Sequence, residues 1–95
     1  MKVDLLAFGA HPDDVELGCS GTIALSIAQG KFVVLIDLTQ GELGTRGSVE
    51  LRKEEATVAA SILGVQQREN LKFKDAFFVN DEAHQRRVIS KIRQY

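Results

Sequence analysis

The sequence predicts an α/β fold: a Rossmann-like three-layer sandwich around a parallel sheet, built in the order β-α-β-α-β-α. Three observations predict it. An almost continuously apolar run rich in β-branched residues, Phe32 to Thr39, lies near the middle of the chain, the pattern of a strand covered on both faces. Apolar positions at helical spacing flank that run on each side, as they do where helices pack onto a sheet. Glycines stand where those stripes end, at Gly30 and Gly64, the usual helix stop. Strands alternating with helix-length spacers imply parallel pairing through right-handed crossovers.

Taken in order, Val3 to Gly9 is a short apolar run that suits a buried strand. Pro12 ends it, because proline fixes its own φ and pushes His11 out of helical geometry. Val15, Cys19, Ile23 and Ile27 then form an i+4 row, with Ala24 and Ala28 beside it, marking the first helix. The second strand is Phe32 to Thr39. Three glycines between Gln40 and Gly47 predict a loop. The second helix runs from about Ser48 to Leu63, with Ala56, Ala59, Ala60, Ile62 and Leu63 on its apolar side. Gln67 to Phe73 is a third strand, interrupted by Arg68, Glu69 and Asn70. Asp75 to Asn80 is a loop. A third helix starts near Asp81, with Val88, Ile89, Ile92 and Tyr95 as its buried side.

Three strands laid down in one direction give the order 3-2-1 and leave strand 1 at an edge, although a doubly wound fold has it central. An open apolar edge invites pairing. The expectation is therefore one domain over residues 1–95, either a piece of a larger domain or paired with another chain, and a homo-oligomer.

The 95 residues suit one small domain. A formal net charge of -1 lacks the basic footprint of a nucleic-acid binder. A single cysteine, Cys19, excludes an intrachain disulfide and fits a reducing compartment. No apolar run approaches the roughly 18 residues a membrane helix needs. Met-Lys followed by a strand-like run containing Asp4 is a poor signal peptide, so a cytoplasmic location without membrane contact is expected.

Chemistry concentrates in Ala10-His11-Pro12-Asp13-Asp14-Val15-Glu16-Leu17-Gly18, where one histidine and three acids meet a strand-to-helix turn. An imidazole and a carboxylate are both Zn²⁺ ligands. His11 and Asp14, three apart across the turn, can face one point above the sheet. Asp13 between them can then take a proton from a water there. The structural alternative is equally simple: Asp13 and Glu16 have the spacing of a capping box, and His11 can be a turn histidine. Spacing does not separate the two readings. A catalytic zinc also takes three protein ligands, and His84, at the start of the third helix, is not expected to supply the third.

The stretch from Ala10 to Glu16, followed by Gly18, Gly21 and Thr22, resembles the signature of the LmbE-like, or PIG-L, family of zinc-dependent N-acetylglucosaminyl deacetylases. Asp37-Leu38-Thr39-Gln40-Gly41-Glu42 with Glu50-Leu51-Arg52, and Arg68-Glu69-Asn70-Leu71, are similar to the branch containing the bacillithiol-biosynthesis deacetylases. The resemblance implies that His11 and Asp14 are zinc ligands, Asp13 the general base and Arg52 a substrate contact. It implies an N-acetylated amino sugar, such as the GlcNAc-malate of bacillithiol synthesis, as substrate. It places the third ligand in a later His-Pro-Asp-His-like motif that these residues do not contain, which implies that the isolated chain is inactive. The competing class is a non-catalytic binding module, in which the turn is a helix cap.

Other residues have plainer readings. Arg52 can grip a carboxylate or hydroxyl-rich ligand, or form an exposed pair with Glu55. Glu42 and Arg46 can line a cleft rim or be solvated. The glycine pattern is neither a dinucleotide fingerprint nor a P-loop. Cys19 reads as a buried thiol. Phe77 and Phe78 read as packing rather than a sugar-stacking surface, and Arg86, Arg87, Lys91 and Arg93 as a solvated basic face.

Overall fold

A computed structural model describes residues 2–95. The elements are β1 (Leu5–Gly9), α1 (Asp14–Ala28), β2 (Val33–Thr39), α2 (Val49–Leu63), β3 (Gln67–Phe73) and α3 (Glu82–Gln94). The three strands are parallel in the order β1-β2-β3, as the alternation of elements requires.

The period-2 geometry of β2 divides the core in two. Val33 and Leu35 face one way and pack with Val15 and Ile23 of α1, with Ile27, Leu63 and Val65 at the margin. Val34 and Ile36 face the other way and pack with Leu71, Phe73 and Tyr95, with Val88 of α3 against them. All four β2 side chains are fully buried, which explains why this strand reads as one unbroken apolar run. The parity continues into polar residues: Asp37 points to the α1–α2 side, and Thr39 donates its hydroxyl to the Ala10 carbonyl at 2.9 Å, joining the ends of β1 and β2.

Ser48 caps α2, its hydroxyl accepting the Leu51 amide at 3.0 Å. Gly64 ends α2 at φ 85°, in the left-handed conformation that costs glycine nothing. Asp81 caps α3 by accepting the His84 amide at 2.9 Å.

Four expectations are corrected. The Asp13 side chain makes no capping hydrogen bond to α1 and the residue sits at φ 133°, so the Asp13–Glu16 capping box does not form; Glu16 turns instead to Arg68. Ala24 and Ala28 are exposed, because the row from Val15 to Ile27 alone meets the sheet. On α2, Ile62 is 80% exposed and lies on the outer face. On α3 the sheet-facing row is His84, Val88, Lys91 and Tyr95, while Ile89 and Ile92 are exposed. Tyr95 is buried as expected; the helix is rotated about it relative to the expected stripe.

No helix among the described residues is long and apolar enough to cross a membrane.

Candidate active site

The loops after all three strands meet above the carboxyl ends of the sheet, where open α/β sheets bind ligands. The turn after β1 supplies His11, Pro12, Asp13 and Asp14. The glycine-rich loop after β2 supplies Gly41, Glu42 and Leu43. The loop after β3 supplies Asp75, which the sequence reading does not single out from its loop.

His11 is held from both sides. Its Nε2 lies 2.7 Å from Asp75 Oδ1, and its Nδ1 lies 3.4 Å from Asp14 Oδ2. Asp14 also binds the backbone of the turn, its Oδ2 accepting the His11 amide at 2.9 Å. Asp75 is buried, its Oδ2 accepting the Leu43 amide at 3.0 Å while its own amide donates to Glu42 Oε2 at 2.8 Å. The Leu43 amide holds the Asp75 carboxyl below the usual carboxylate range, with His11 adding to the effect against the opposing influence of burial. Asp75 is therefore an ionised acceptor at neutral pH. Its bond to His11 raises the imidazole above its ordinary pKa, against a lowering by burial.

That arrangement fits a metal ion. An ionised Asp75 requires the proton on Nε2, which in the neutral imidazole leaves the Nδ1 lone pair turned toward Asp14. Ligating histidines are oriented in this way by a carboxylate on the second ring nitrogen. The 3.4 Å between Nδ1 and Oδ2 is long for a hydrogen bond. It matches one edge of a tetrahedron whose ligands lie about 2.0–2.2 Å from a central zinc, about 3.3–3.6 Å. Both side chains are about two-fifths exposed, at 41% and 43%, so an ion can reach them. Among the described residues no third histidine, cysteine or acid joins the pair.

Asp13 borders an open cleft of about 490 Å³ lined also by Gly44, Thr45, Arg46, Leu51 and Arg52. Its backbone, at φ 133°, lies in a region that costs a non-glycine residue about 1–3 kcal/mol. Such strain gathers at ligand sites. Arg52 approaches it, with Nη2 3.7 Å from Asp13 Oδ2. The same guanidinium donates to the carbonyls of Gly41 at 3.0 Å and Pro12 at 3.4 Å. Gly41 must be glycine here: its φ is 63°, and a Cβ would stand 2.1 Å from Arg52 Nη1. Glu55 is not among the partners of Arg52, so the exposed-pair reading gives way to an arginine drawn into the site.

The expected site residues thus come together in two adjoining groups, His11 with Asp14 and Asp13 with Arg52. His84 is elsewhere, packed edge-on against Phe73 at 4.6 Å between ring centres. Phe78 joins that packing while Phe77 is 64% exposed. Cys19 is half-buried against the α1–β2 core. Asp75 is legible only through topology, as an acid directly past the carboxyl end of a strand in the same sheet as the one that carries His11.

The sequence model of the family described as "PIG-L: GlcNAc-PI de-N-acetylase" matches residues 6–95. The chain is 42% identical over 71 residues to the uncharacterized deacetylase YaiS of Escherichia coli K12, covering 75% of this chain and 38% of that protein. It is 35% identical over 97 residues to the diacetylchitobiose deacetylase of Thermococcus kodakarensis, covering 95% of this chain and 36% of that one. Among solved structures it is similar to the conserved protein TT1542 of Thermus thermophilus, with a TM-score of 0.92, 39% identity, and 98% of this chain aligned to 42% of that one. It is also similar to GalB, the 4-carboxy-2-hydroxymuconate hydratase of Pseudomonas putida KT2440, with a TM-score of 0.83, 29% identity, and 95% of this chain aligned to 42% of that one. The chain spans about two fifths of the length of these relatives.

Proposed function

The chain belongs to the PIG-L family, and on that premise we propose that the protein carrying it is a zinc-dependent hydrolase that removes the N-acetyl group from an N-acetylglucosamine-type sugar conjugate. The observation that carries the proposal is the His11–Asp14 pair, 3.4 Å apart and braced by Asp75, with Asp13 at its side.

In this reading His11 Nδ1 and Asp14 Oδ2 hold the metal, with a third ligand from a later histidine motif. Bound zinc supplies a water acidified to near neutrality and a Lewis acid for the amide carbonyl. The chain's own residues do the rest. Asp13, exposed to the cleft, accepts the proton of the attacking water and delivers it to the departing amine. Asp75 keeps the His11 proton on Nε2. Arg52, its Nη2 3.7 Å from Asp13 Oδ2, takes a hydroxyl or carboxylate of the substrate through its forked donors. A finer reading makes that substrate GlcNAc-malate, supported by the likeness of the Asp37–Glu42, Glu50–Arg52 and Arg68–Leu71 stretches to the bacillithiol branch. Cytoplasmic location and assembly as a homo-oligomer belong to the same proposal.

The likeness to a hydratase supports a second reading. The same acid and metal pair would then direct water at a carbon–carbon double bond instead of an amide. One assay separates the two. The zinc-loaded product of the complete reading frame is offered GlcNAc-malate, diacetylchitobiose and 4-carboxy-2-hydroxymuconate. Acetate with an equal amount of free amine supports the deacetylase. Loss of the muconate's conjugated absorbance without acetate supports the hydratase, and no turnover of any of them supports the non-catalytic module.

A further inference from the structure

Glu16 and Arg68 play no part in the chemistry above, yet they form the most heavily bonded polar cluster in the molecule. Arg68 rises from β3 beneath the turn, its side chain 9% exposed, and all five of its N–H groups have acceptors. Nε and Nη2 grip Asp37 of β2 at 2.7 and 2.9 Å. Nη1 and Nη2 grip Glu16 of α1 at 2.9 and 3.1 Å. Nη1 also donates to the Ala56 carbonyl of α2 at 3.3 Å. One guanidinium therefore ties together four elements that frame the site.

The first turn of α1 needs such a tie. The backbone breaks helical geometry at Cys19, with φ -149° and ψ 26°. A Cβ on Gly18 would touch nothing within 4 Å, so no neighbouring side chain braces the outer side of the helix beside that break. The segment Asp14–Gly18 is thus a single turn set off by that break from the longer part of α1. Two of its side chains reach inward: Val15 enters the core at 4% exposure, and Glu16 meets Arg68. Val15 fixes depth without direction, since apolar contact is non-directional. Two forked ion pairs fix direction. A buried ionic cluster of this kind is a weak source of stability alone, and apolar side chains of the same volume commonly do as well or better.

We infer that the Glu16–Arg68–Asp37 cluster is a positioning device: Arg68, acting through Glu16, sets the angle at which the turn presents Asp13 and Asp14. This rests on the deacetylase reading for its catalytic consequence, and stands apart from it for its structural one.

The test compares the complete protein with Glu16→Gln, Arg68→Lys and a control, Leu63→Ala, which loosens the same core without touching the cluster. Glutamine is isosteric with glutamate, so Glu16→Gln carries the test if Arg68→Lys fails to fold. Misplacement on the ångström scale predicts a fall in kcat of about 100-fold, with KM within about threefold of wild type. Amide exchange is expected to quicken at Asp14 and Leu17 and to stay unchanged from Ile23 to Ala28. The inference is overturned if kcat falls no further than in a Leu63→Ala protein of equal Tm, or if exchange rises evenly along α1. If the wild type releases no amine from any N-acetyl sugar, the deacetylase reading fails and the exchange pattern alone decides the positioning role.

Discussion

Asp75→Asn is nearly isosteric; it removes a negative charge and replaces one of two acceptors at the end of β3 with a donor. The carboxylate now serves two donors, His11 Nε2–H at 2.7 Å and the Leu43 amide at 3.0 Å. Asparagine has one acceptor and one donor. The Leu43 amide has no other tautomer, so the single carbonyl stays with it and the NH₂ turns to His11. The imidazole must then accept at Nε2, which moves its proton to Nδ1 and occupies the position facing Asp14. Loss of such an orienting carboxylate typically lowers metal affinity about 10–100-fold, or about 1.4–2.7 kcal/mol. The assay is competitive Zn²⁺ titration of the complete protein with ¹⁵N detection of the histidine tautomer. It is run well above the His11 pKa, because the substitution also removes the main cause of that group's raised value and would otherwise ease proton competition. An affinity within twofold of wild type, with Nδ1 unprotonated, would refute the reasoning.

Three further outcomes are expected. Gly41→Ala drives a methyl into Arg52 and ejects the guanidinium from the cleft; losing one hydrogen bond to a charged group, about 1.5 kcal/mol, raises KM about tenfold in steady-state assays while zinc content is unchanged. Ile23→Ala empties a fully buried position between α1 and β2 and lowers unfolding free energy by about 2–5 kcal/mol in urea titration. Glu69 is raised by burial but lowered more by Lys91 at 2.7 Å and by the Tyr95 hydroxyl, so its folded pKa lies below its ordinary 4.5. Its contribution is present above that value and lost as pH falls through the folded pKa, so the Tm advantage of wild type over Glu69→Gln shrinks in acid.

Much of the fold was legible because the signals were local. Phe32–Thr39 announced β2 by composition, Gly64 and Ser48 bracketed α2, and the interrupted run Gln67–Phe73 formed the third strand at its expected bounds. Faces were harder. Ile89 and Ile92 are as apolar as Val88, yet the sheet meets the row through His84, Val88, Lys91 and Tyr95, where aromatic packing and the Lys91–Glu69 pair decide. The residues that made β3 look doubtful have tertiary partners: Arg68 binds Asp37 and Glu16, Glu69 binds Lys91, and Asn70 donates to the Thr39 carbonyl at 2.7 Å. In the candidate site, His11, Asp13 and Asp14 stood out because they cluster within one turn. Asp75 is 64 residues from His11 and becomes visible only when three strand ends are brought to one edge. The capping-box spacing misled because a distant arginine outcompetes the local amide for Glu16.

The central claim is that the turn after β1 is the proton-handling half of a hydrolytic metal site. Its most direct test is turnover of a zinc-loaded Asp13→Asn protein on an N-acetylglucosamine conjugate, with bound zinc measured in the same sample. The account predicts unchanged zinc and a rate lowered about 10²–10⁴-fold, the usual contribution of a general base. Unchanged turnover at unchanged zinc would contradict it.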